Sequence, residues 1–326
     1  MGRSSSTDAL LRRIAVASLR APRGRIPGWF PLVVERVHPR LDLAPVQTIR
    51  LGGLDMRLDI SEYVQRRIYY ACHEPLEARF VASFLRPGDR FADVGAHAGL
   101  FTLIGAAAVG STGEIHSFEP APPNFAALKA NVALNGLRHV ILNRAAVADR
   151  SGTATVGLPD ETQLGRSTAG FTVGGRHASF DVRTTSLDAY FAEQPSNRTV
   201  RLVKIDVEGH ETAVIEGMSQ MLRTQPPDAI IFEYFADMLA EHGASAPMVF
   251  SPLTAAGYNL FRFNMRGRLV HLDWSSANLP STVRQRTKRD SSPKPSALMV
   301  GIAHRDTLFN VVALQPSALG DVALKL

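Results

Sequence analysis

Between residues 90 and 235 short apolar runs alternate with longer stretches whose apolar positions recur every three or four residues. This is the pattern of a parallel sheet covered by helices. The runs read RFADV, EIHSF, HVILN, RLVKIDV and AIIFEY. Between the second and third, PNFAALKANVALNG sets Phe125, Leu128 and Val132 on one helical face, and Gly136 supplies the stop after the helix. Past residue 250, GYNLFRFNMRGRLVHL predicts two strands about a turn at residues 265–268, and DTLFNVVAL predicts one more near the end. Residues 157–179 are rich in glycine, serine and threonine without a sustained period, which predicts a long loop and a candidate lid. The basic, proline-containing STVRQRTKRDSSPKPS, taken to residue 298, predicts a mobile connector. No internal repeat is present.

A chain of 326 residues with 45% apolar content supports one large α/β core with extensions. The expected division is a basic N-terminal extension over 1–60 and a catalytic domain over 61–326, the connector at 281–298 included. A net charge of +6 tilts partners mildly towards anions and singles out none of them. The lone cysteine, Cys72, excludes an internal disulfide and chemistry that needs a cysteine pair, so a reducing, cytoplasmic setting is the expectation. No apolar run reaches the roughly 18–20 residues that span a bilayer. The first thirty residues carry six arginines against one acid, Asp8. They read either as a surface helix packing Leu10, Leu11 and Ile14 on the domain or as a peripheral contact with an anionic membrane.

Candidate chemistry begins at FADVGAHAGLF. A parallel strand ending in a glycine turn that starts a helix presents backbone N–H groups at the carboxyl edge of the sheet, where ligands of open α/β sheets bind. The dinucleotide pattern G-x-G-x-x-G would need glycines at 97 and 100 after Gly95, and the chain has His97 and Leu100 there. Twenty residues after Gly99 stands Glu119, placed to accept the hydroxyls of a ribose. Asp93, just before the turn, repels phosphate and favours a cationic, phosphate-free nucleoside, which describes S-adenosylmethionine. The plainer alternative makes Asp93 a capping acid and Gly95 and Gly99 simple turn formers.

RLVKIDVEGHE is a second anomaly. A central parallel strand is buried on both faces, yet Lys204, Asp206 and Glu208 recur at every second position. Unpaired buried charges cost several kcal/mol, so these residues are paired or lie at the open carboxyl end. The first option makes Lys204 and Glu208 an ion pair that stiffens the strand end; the second puts Asp206 and Glu208 beside the cofactor turn, with Asp206 as a catalytic group, His210 as an alternative proton acceptor and Glu233 meeting Lys204 or reaching the same pocket. Acids with a histidine also suit Mg²⁺, but the spacing matches no dedicated metal loop and no metal is expected.

The pieces CHEPLEARFVASFLRPGDRFADVGAHAGLFTL, GEIHSFEPAPPNFAALKANVALNG, TTSLDAYF and LVKIDVEGHETAVIEGM resemble the FkbM family of S-adenosylmethionine-dependent methyltransferases over about residues 69–235. The resemblance implies a class I, Rossmann-like α/β fold: a seven-stranded, mostly parallel sheet with an antiparallel last strand and helices on both faces. It implies O-methylation of a hydroxyl on a sugar, glycolipid or secondary metabolite. It places Asp93, Gly95, His97 and Gly99 at the methionine end of the cofactor, Glu119 at the ribose, Ala146 at the adenine, Glu74 closing over the cofactor and Asp206 beside the methyl group. His97 stands where the family has asparagine, and Ala145, Ala146 and Val147 offer adenine no acid. The implied partner is a small-molecule, glycan or lipid acceptor, with no specific nucleic acid. The rival readings are an RNA methyltransferase and a non-catalytic protein with a nucleotide fold. The first lacks an N/D-P-P-aromatic motif, and against the second stand the acids at 93, 119 and 206.

Overall fold

The computed structural model describes residues 34–36, 38–41, 43–157, 179–194, 198–264, 267–274 and 308–323. The arginine-rich N-terminal segment, the interior of the expected lid and the connector at 281–298 lie outside the described residues.

The chain opens with a hairpin, β1 (Val46–Leu51) and β2 (Leu54–Asp59), followed by helices α1 (Tyr63–Tyr69) and α2 (Pro75–Phe84). Then come β3 (Arg90–Val94), α3 (Leu100–Val109), β4 (Glu114–Phe118), α4 (Pro122–Leu134) and β5 (Val140–Asn143). A small second sheet is built from β6 (Ala146–Val147), β7 (Gly152–Gly157) and β8 (Ser179–Thr185). Helix α5 (Leu187–Ala192), strand β9 (Leu202–Ile205), helices α6 (Glu211–Glu216) and α7 (Ser219–Thr224) and strand β10 (Ala229–Phe235) follow. The chain continues through α8 (Ala236–Glu241), α9 (Ala246–Ala255), β11 (Asn259–Phe263), β12 (Leu269–His271), β13 (Leu308–Leu314) and α10 (Leu319–Ala323).

The main sheet has the order β12-β11-β13-β10-β9-β3-β4-β5. Strands β5, β4, β3, β9 and β10 are parallel, and β13 runs antiparallel between β10 and β11. Without the edge strand β12, seven strands remain whose sequential order is 6-7-5-4-1-2-3. This is the class I methyltransferase arrangement that the resemblance implied. The eighth strand is the outer arm of the predicted hairpin, which pairs with β11 through only three residues.

Alternation along the strands builds two apolar layers. Phe91, Leu202, Ile231 and Val312 pack against α2, α3 and α4 through Phe80, Phe84, Leu103 and Leu128. Val94, Val203, Ile205, Ile230 and Phe232 pack on the other face against Val214, Ile215, Leu222, Phe250 and Leu253. Helices therefore cover both faces, as the sequence pattern requires. The first layer is interrupted at one place: the row that begins with Phe91 and Leu202 continues with Asp93 and Lys204, which are register partners.

The hairpin β1–β2 falls within the span expected to form an N-terminal extension, yet Met56, Leu58 and Ile60 are fully buried in the first core layer. Two asparagines of α4 receive it. Asn131 Nδ2 donates to the carbonyls of Arg57 (3.1 Å) and Ala98 (2.9 Å), while its Oδ1 accepts from Arg57 N (2.8 Å). Asn135 brackets Asp55 in the same way, at 2.8 and 2.7 Å. Asn131 is buried and holds three backbone groups, so Asn131→Ala leaves them without partners. The expected cost is about 1–3 kcal/mol of unfolding free energy. Urea denaturation checks it, and an unchanged midpoint would detach the hairpin from the stability of the core.

A carboxylate-lined crevice at the switch point

Strand order reverses between β3 and β9, and in open α/β sheets the ligand crevice lies above the carboxyl ends of the strands at such a point. The glycine turn forms its floor. The N–H groups of Gly95 and Ala96 both donate to the Phe118 carbonyl, at 3.0 and 2.9 Å. Gly95 has φ +82°, and a Cβ there would fall inside contact distance of the Asp206 carbonyl oxygen and 2.8 Å from its carbon. Only glycine lets β3 and the end of β9 approach this closely. Gly99 precedes α3 with φ +97°, and its N–H closes the turn onto the Ala96 carbonyl at 2.8 Å.

Glu119 braces the turn from the end of β4. Its Oε2 accepts from His97 N (2.9 Å) and its Oε1 from Ala121 N (2.8 Å). Each oxygen keeps a second lone pair for a ligand hydroxyl. Burial pushes the carboxyl up to about 7, against the pull of the two N–H groups.

Asp93 is fully buried beneath the turn. Its Oδ2 accepts from Thr102 Oγ1 (2.6 Å), which also meets Ser117 Oγ at 2.8 Å, while its Oδ1 has no hydrogen-bond partner. Burial raises it to about 6. Beside it Lys204, also buried, places Nζ 2.8 Å from Asp206 Oδ2, 3.1 Å from Glu74 Oε2 and 4.2 Å from the centroid of the Phe101 ring. Burial pulls the ammonium down, but the charges of Asp206, Glu74 and Asp93 hold it well above the ordinary lysine range. Burial likewise opposes ionisation of Asp206, and the adjacent Lys204 outweighs it, leaving Asp206 below the usual carboxylate range.

Further acids crowd the same space. Burial raises Glu74 to about 8 and Glu211 to about 7. Glu208 and Glu233 are driven well above their ordinary values by burial and then by the charge of Asp206. Burial keeps the imidazoles neutral, His73 at about 3 and His97 lowered from its ordinary value. Among the described residues four non-glycines have left-handed φ, and three of them, Glu74 (+42°), His97 (+49°) and Glu208 (+51°), belong to this cluster. Backbone strain of this kind, about 1–3 kcal/mol per residue, gathers where structure is committed to a site.

The structure thus brings together Glu74, Asp93, Gly95, His97, Gly99, Glu119, Asp206 and Glu233. His210 is not an electrostatic partner of Asp206; its ring packs on His242 at a centroid distance of 4.2 Å, and burial followed by that neighbour lowers its affinity for protons. Ala146 lies in the small sheet, paired with Thr184 of β8. The period-two reading of the charged strand also breaks: β9 ends at Ile205, and the left-handed turn at Glu208 takes it off the alternation, so Lys204 pairs with Asp206 and Glu74 instead.

Sequence reasoning overlooked His73, Thr102 and Ser117. The signal for His73 was its place directly before Glu74; buried hydroxyls such as Thr102 carry no signal of their own. Among the described residues His73, Glu74 and Asp206 offer donor atoms within 4.8 Å of one another. An imidazole in such a set suits a transition ion better than Mg²⁺. Lys204 already supplies positive charge to two of the three donors.

Comparison with known proteins identifies this arrangement. The profile of the methyltransferase FkbM domain matches residues 93–260, just over half of the chain and the whole span from Asp93 through Asp206 to β11. The chain belongs to the FkbM methyltransferase family. The curated 31-O-demethyl-FK506 methyltransferase FkbM of Streptomyces tacrolimicus is 33% identical over 136 residues, covering 40% of this chain and 48% of that protein. The chain therefore spans about half the length of this FkbM relative. Among solved structures, the FkbM methyltransferase of Methylobacillus flagellatus aligns with TM-score 0.37 and 13% identity over 62% of this chain and 52% of its own. A precorrin-6y C5,15-methyltransferase of Geobacter metallireducens aligns with TM-score 0.38 and 11% identity over 74% and 88%. The FkbM fold assignment rests on the strand order above rather than on these alignments.

Proposed function

We propose that this chain is an S-adenosylmethionine-dependent O-methyltransferase whose acceptor is a hydroxyl of a sugar, glycolipid or secondary metabolite. The observation that carries the reading is the cluster at the β3–β9 switch point: a glycine turn with no room for a side chain at 95, surrounded by carboxyl groups, with Lys204 as their buried ammonium. A pyrophosphate would meet Asp93 and Glu119; a cationic adenosine compound is drawn in. Asp93 Oδ1, buried and without a partner, suits the cofactor's ammonium, and the free lone pairs of Glu119 suit its ribose. Family membership and the 31-O in the name of the curated relative support oxygen as the acceptor atom.

S-adenosylmethionine, held by Asp93 and Glu119, would supply the methyl group, its sulfur–methyl bond giving way to a bond to the acceptor oxygen. Asp206, held ionised by Lys204, accepts a hydrogen bond from the acceptor hydroxyl and turns an oxygen lone pair towards that methyl. A carboxylate with a depressed pKa is a weak base for an alcohol. It suffices late in transfer, when the partly methylated oxygen has become strongly acidic, and so Asp206 takes the proton and passes it to solvent.

The acceptor class is tested with methyl-labelled S-adenosylmethionine and a panel of sugars, glycolipids, polyketides and RNA. Label is expected on a hydroxyl of one of the first three. Label on RNA alone would replace this reading with its nucleic-acid rival.

The raised carboxyls set a pH dependence. From pH 6 to 8 protons leave Asp93, Glu119, Glu211 and Glu74, whose values lie at about 6, 7, 7 and 8. The crevice gains negative charge, and affinity for the cationic cofactor is expected to rise, about tenfold or more. The same groups bind more protons folded than unfolded, so their contribution to stability is lost as pH rises through their folded values. Above pH 7 unfolded histidines have already lost their protons, and the buried His73 and His97 no longer oppose the trend. The melting temperature of the unliganded protein should therefore fall between pH 7 and 8.5, and added S-adenosylmethionine should offset more of that fall at the upper end. Scanning calorimetry with and without cofactor measures both, and an unliganded melting temperature that rises over this window would contradict the assignment.

A further inference from the structure

Lys204 stands where the first core layer calls for an apolar residue. Leu202 precedes it on the same face of β9 and Phe91 lies in the same row on β3, while its own register partner, Asp93, is a buried acid. Its stem crosses the layer, and its head meets three elements at once. Nζ lies 2.8 Å from Asp206 at the end of β9, 3.1 Å from Glu74 at the start of α2, and 4.2 Å from the centroid of the Phe101 ring on α3. Replacing a buried ion pair with apolar side chains of similar size is often neutral or stabilising, so stability alone gives little reason for a lysine here.

We propose that Lys204 is a positioning residue for methyl transfer: its ammonium clamps Asp206 Oδ2 to Glu74 Oε2, which fixes the plane of the Asp206 carboxylate and leaves Oδ1 for the acceptor hydroxyl. The proposal rests on the methyltransferase reading and assigns a role within it. The clamp also fixes the start of α2, because Glu74 adopts φ +42° immediately before Pro75 and turns its side chain into the cluster instead of capping the helix. One consequence follows: the Asp206 carboxylate keeps its charge in a site crowded with other acids.

The test is a ¹³C NMR titration of the Asp206 carboxyl carbon, assigned by its loss in Asp206→Asn and followed in unliganded protein. Cofactor affinity is measured in parallel by calorimetry. In the wild type the midpoint is expected below the ordinary aspartate range; a wild-type midpoint at or above that range overturns the proposal without any variant. In Lys204→Met the midpoint is expected to rise by about two pH units or more while the dissociation constant for S-adenosylmethionine changes less than about threefold. Lys204→Arg, which restores the charge, should return it most of the way. An unmoved midpoint in Lys204→Met, or cofactor affinity lost together with the shift, means the lysine only holds the crevice shut, and the positioning role falls. If the wild type binds no S-adenosylmethionine, the methyltransferase reading has failed instead, and the titration still reports on the clamp.

Discussion

Gly95→Ala is expected to abolish S-adenosylmethionine binding, lowering affinity by about a hundredfold or more. Two effects add. The residue has φ +82°, where an L side chain is strained by about 1–2 kcal/mol. The new Cβ also falls within contact distance of the Asp206 carbonyl oxygen and 2.8 Å from its carbon, both backbone atoms that cannot rotate away. The ends of β3 and β9 must therefore separate, which opens the floor of the crevice and moves Asp206 with it. Gly136→Ala is the matched control: φ is +62°, and nothing lies within 4 Å of the added atom. It should cost stability of the order of 1 kcal/mol and leave binding alone. Calorimetric titration of both variants, with circular dichroism to confirm the fold, checks the pair. Wild-type affinity in Gly95→Ala would show that the turn does not form the cofactor floor.

Asp206→Asn is expected to lower turnover by about 10²–10³-fold with cofactor affinity within about threefold. The amide keeps the shape of the carboxylate and loses its charge, so Lys204 retains Glu74 and Asp93 while the acceptor hydroxyl loses its proton acceptor. The effect belongs in kcat, measured as release of S-adenosylhomocysteine with the acceptor identified from the panel. Unchanged turnover would remove Asp206 from the reaction. A loss confined to the Michaelis constant of the cofactor would make it a binding group alone.

The parallel core was legible because buried strands leave short apolar runs. RFADV and EIHSF coincide with β3 and β4 residue for residue, and the antiparallel last strand was visible in DTLFNVVAL. The β1–β2 hairpin was not legible as part of the core. Its attachment depends on Asn131 and Asn135, seventy to eighty residues away, and on side-chain amides that imitate a neighbouring strand. The small sheet was missed for a similar reason: β7 and β8 are largely polar, GTATVG and SFDVRTT, and they pair across the long loop expected at 157–179, whose interior lies outside the described residues. In the site, acids at strand ends declare themselves, because a carboxylate in an apolar run is costly and so conspicuous. Asp93 and Asp206 were found that way, and Glu119 by its spacing from the glycine turn. Lys204 was conspicuous too, but its partners were not predictable: Glu74 comes from another helix, and the period-two rule that pointed to Glu208 fails once the backbone turns left-handed there. His210 looked like a base because it follows Glu208 and Gly209, and only the packing of its ring on His242 shows where it lies.

The central claim is electrostatic: an acid-lined crevice at the β3–β9 switch point selects a cationic adenosine compound over a phosphorylated one. Isothermal titration at pH 8 with S-adenosylmethionine, NAD⁺ and ATP tests it directly. Saturable binding of S-adenosylmethionine with no detectable heat from either phosphorylated nucleotide is the expected result. Binding of NAD⁺ or ATP in its place, competed by nothing that lacks a phosphate, would contradict the account.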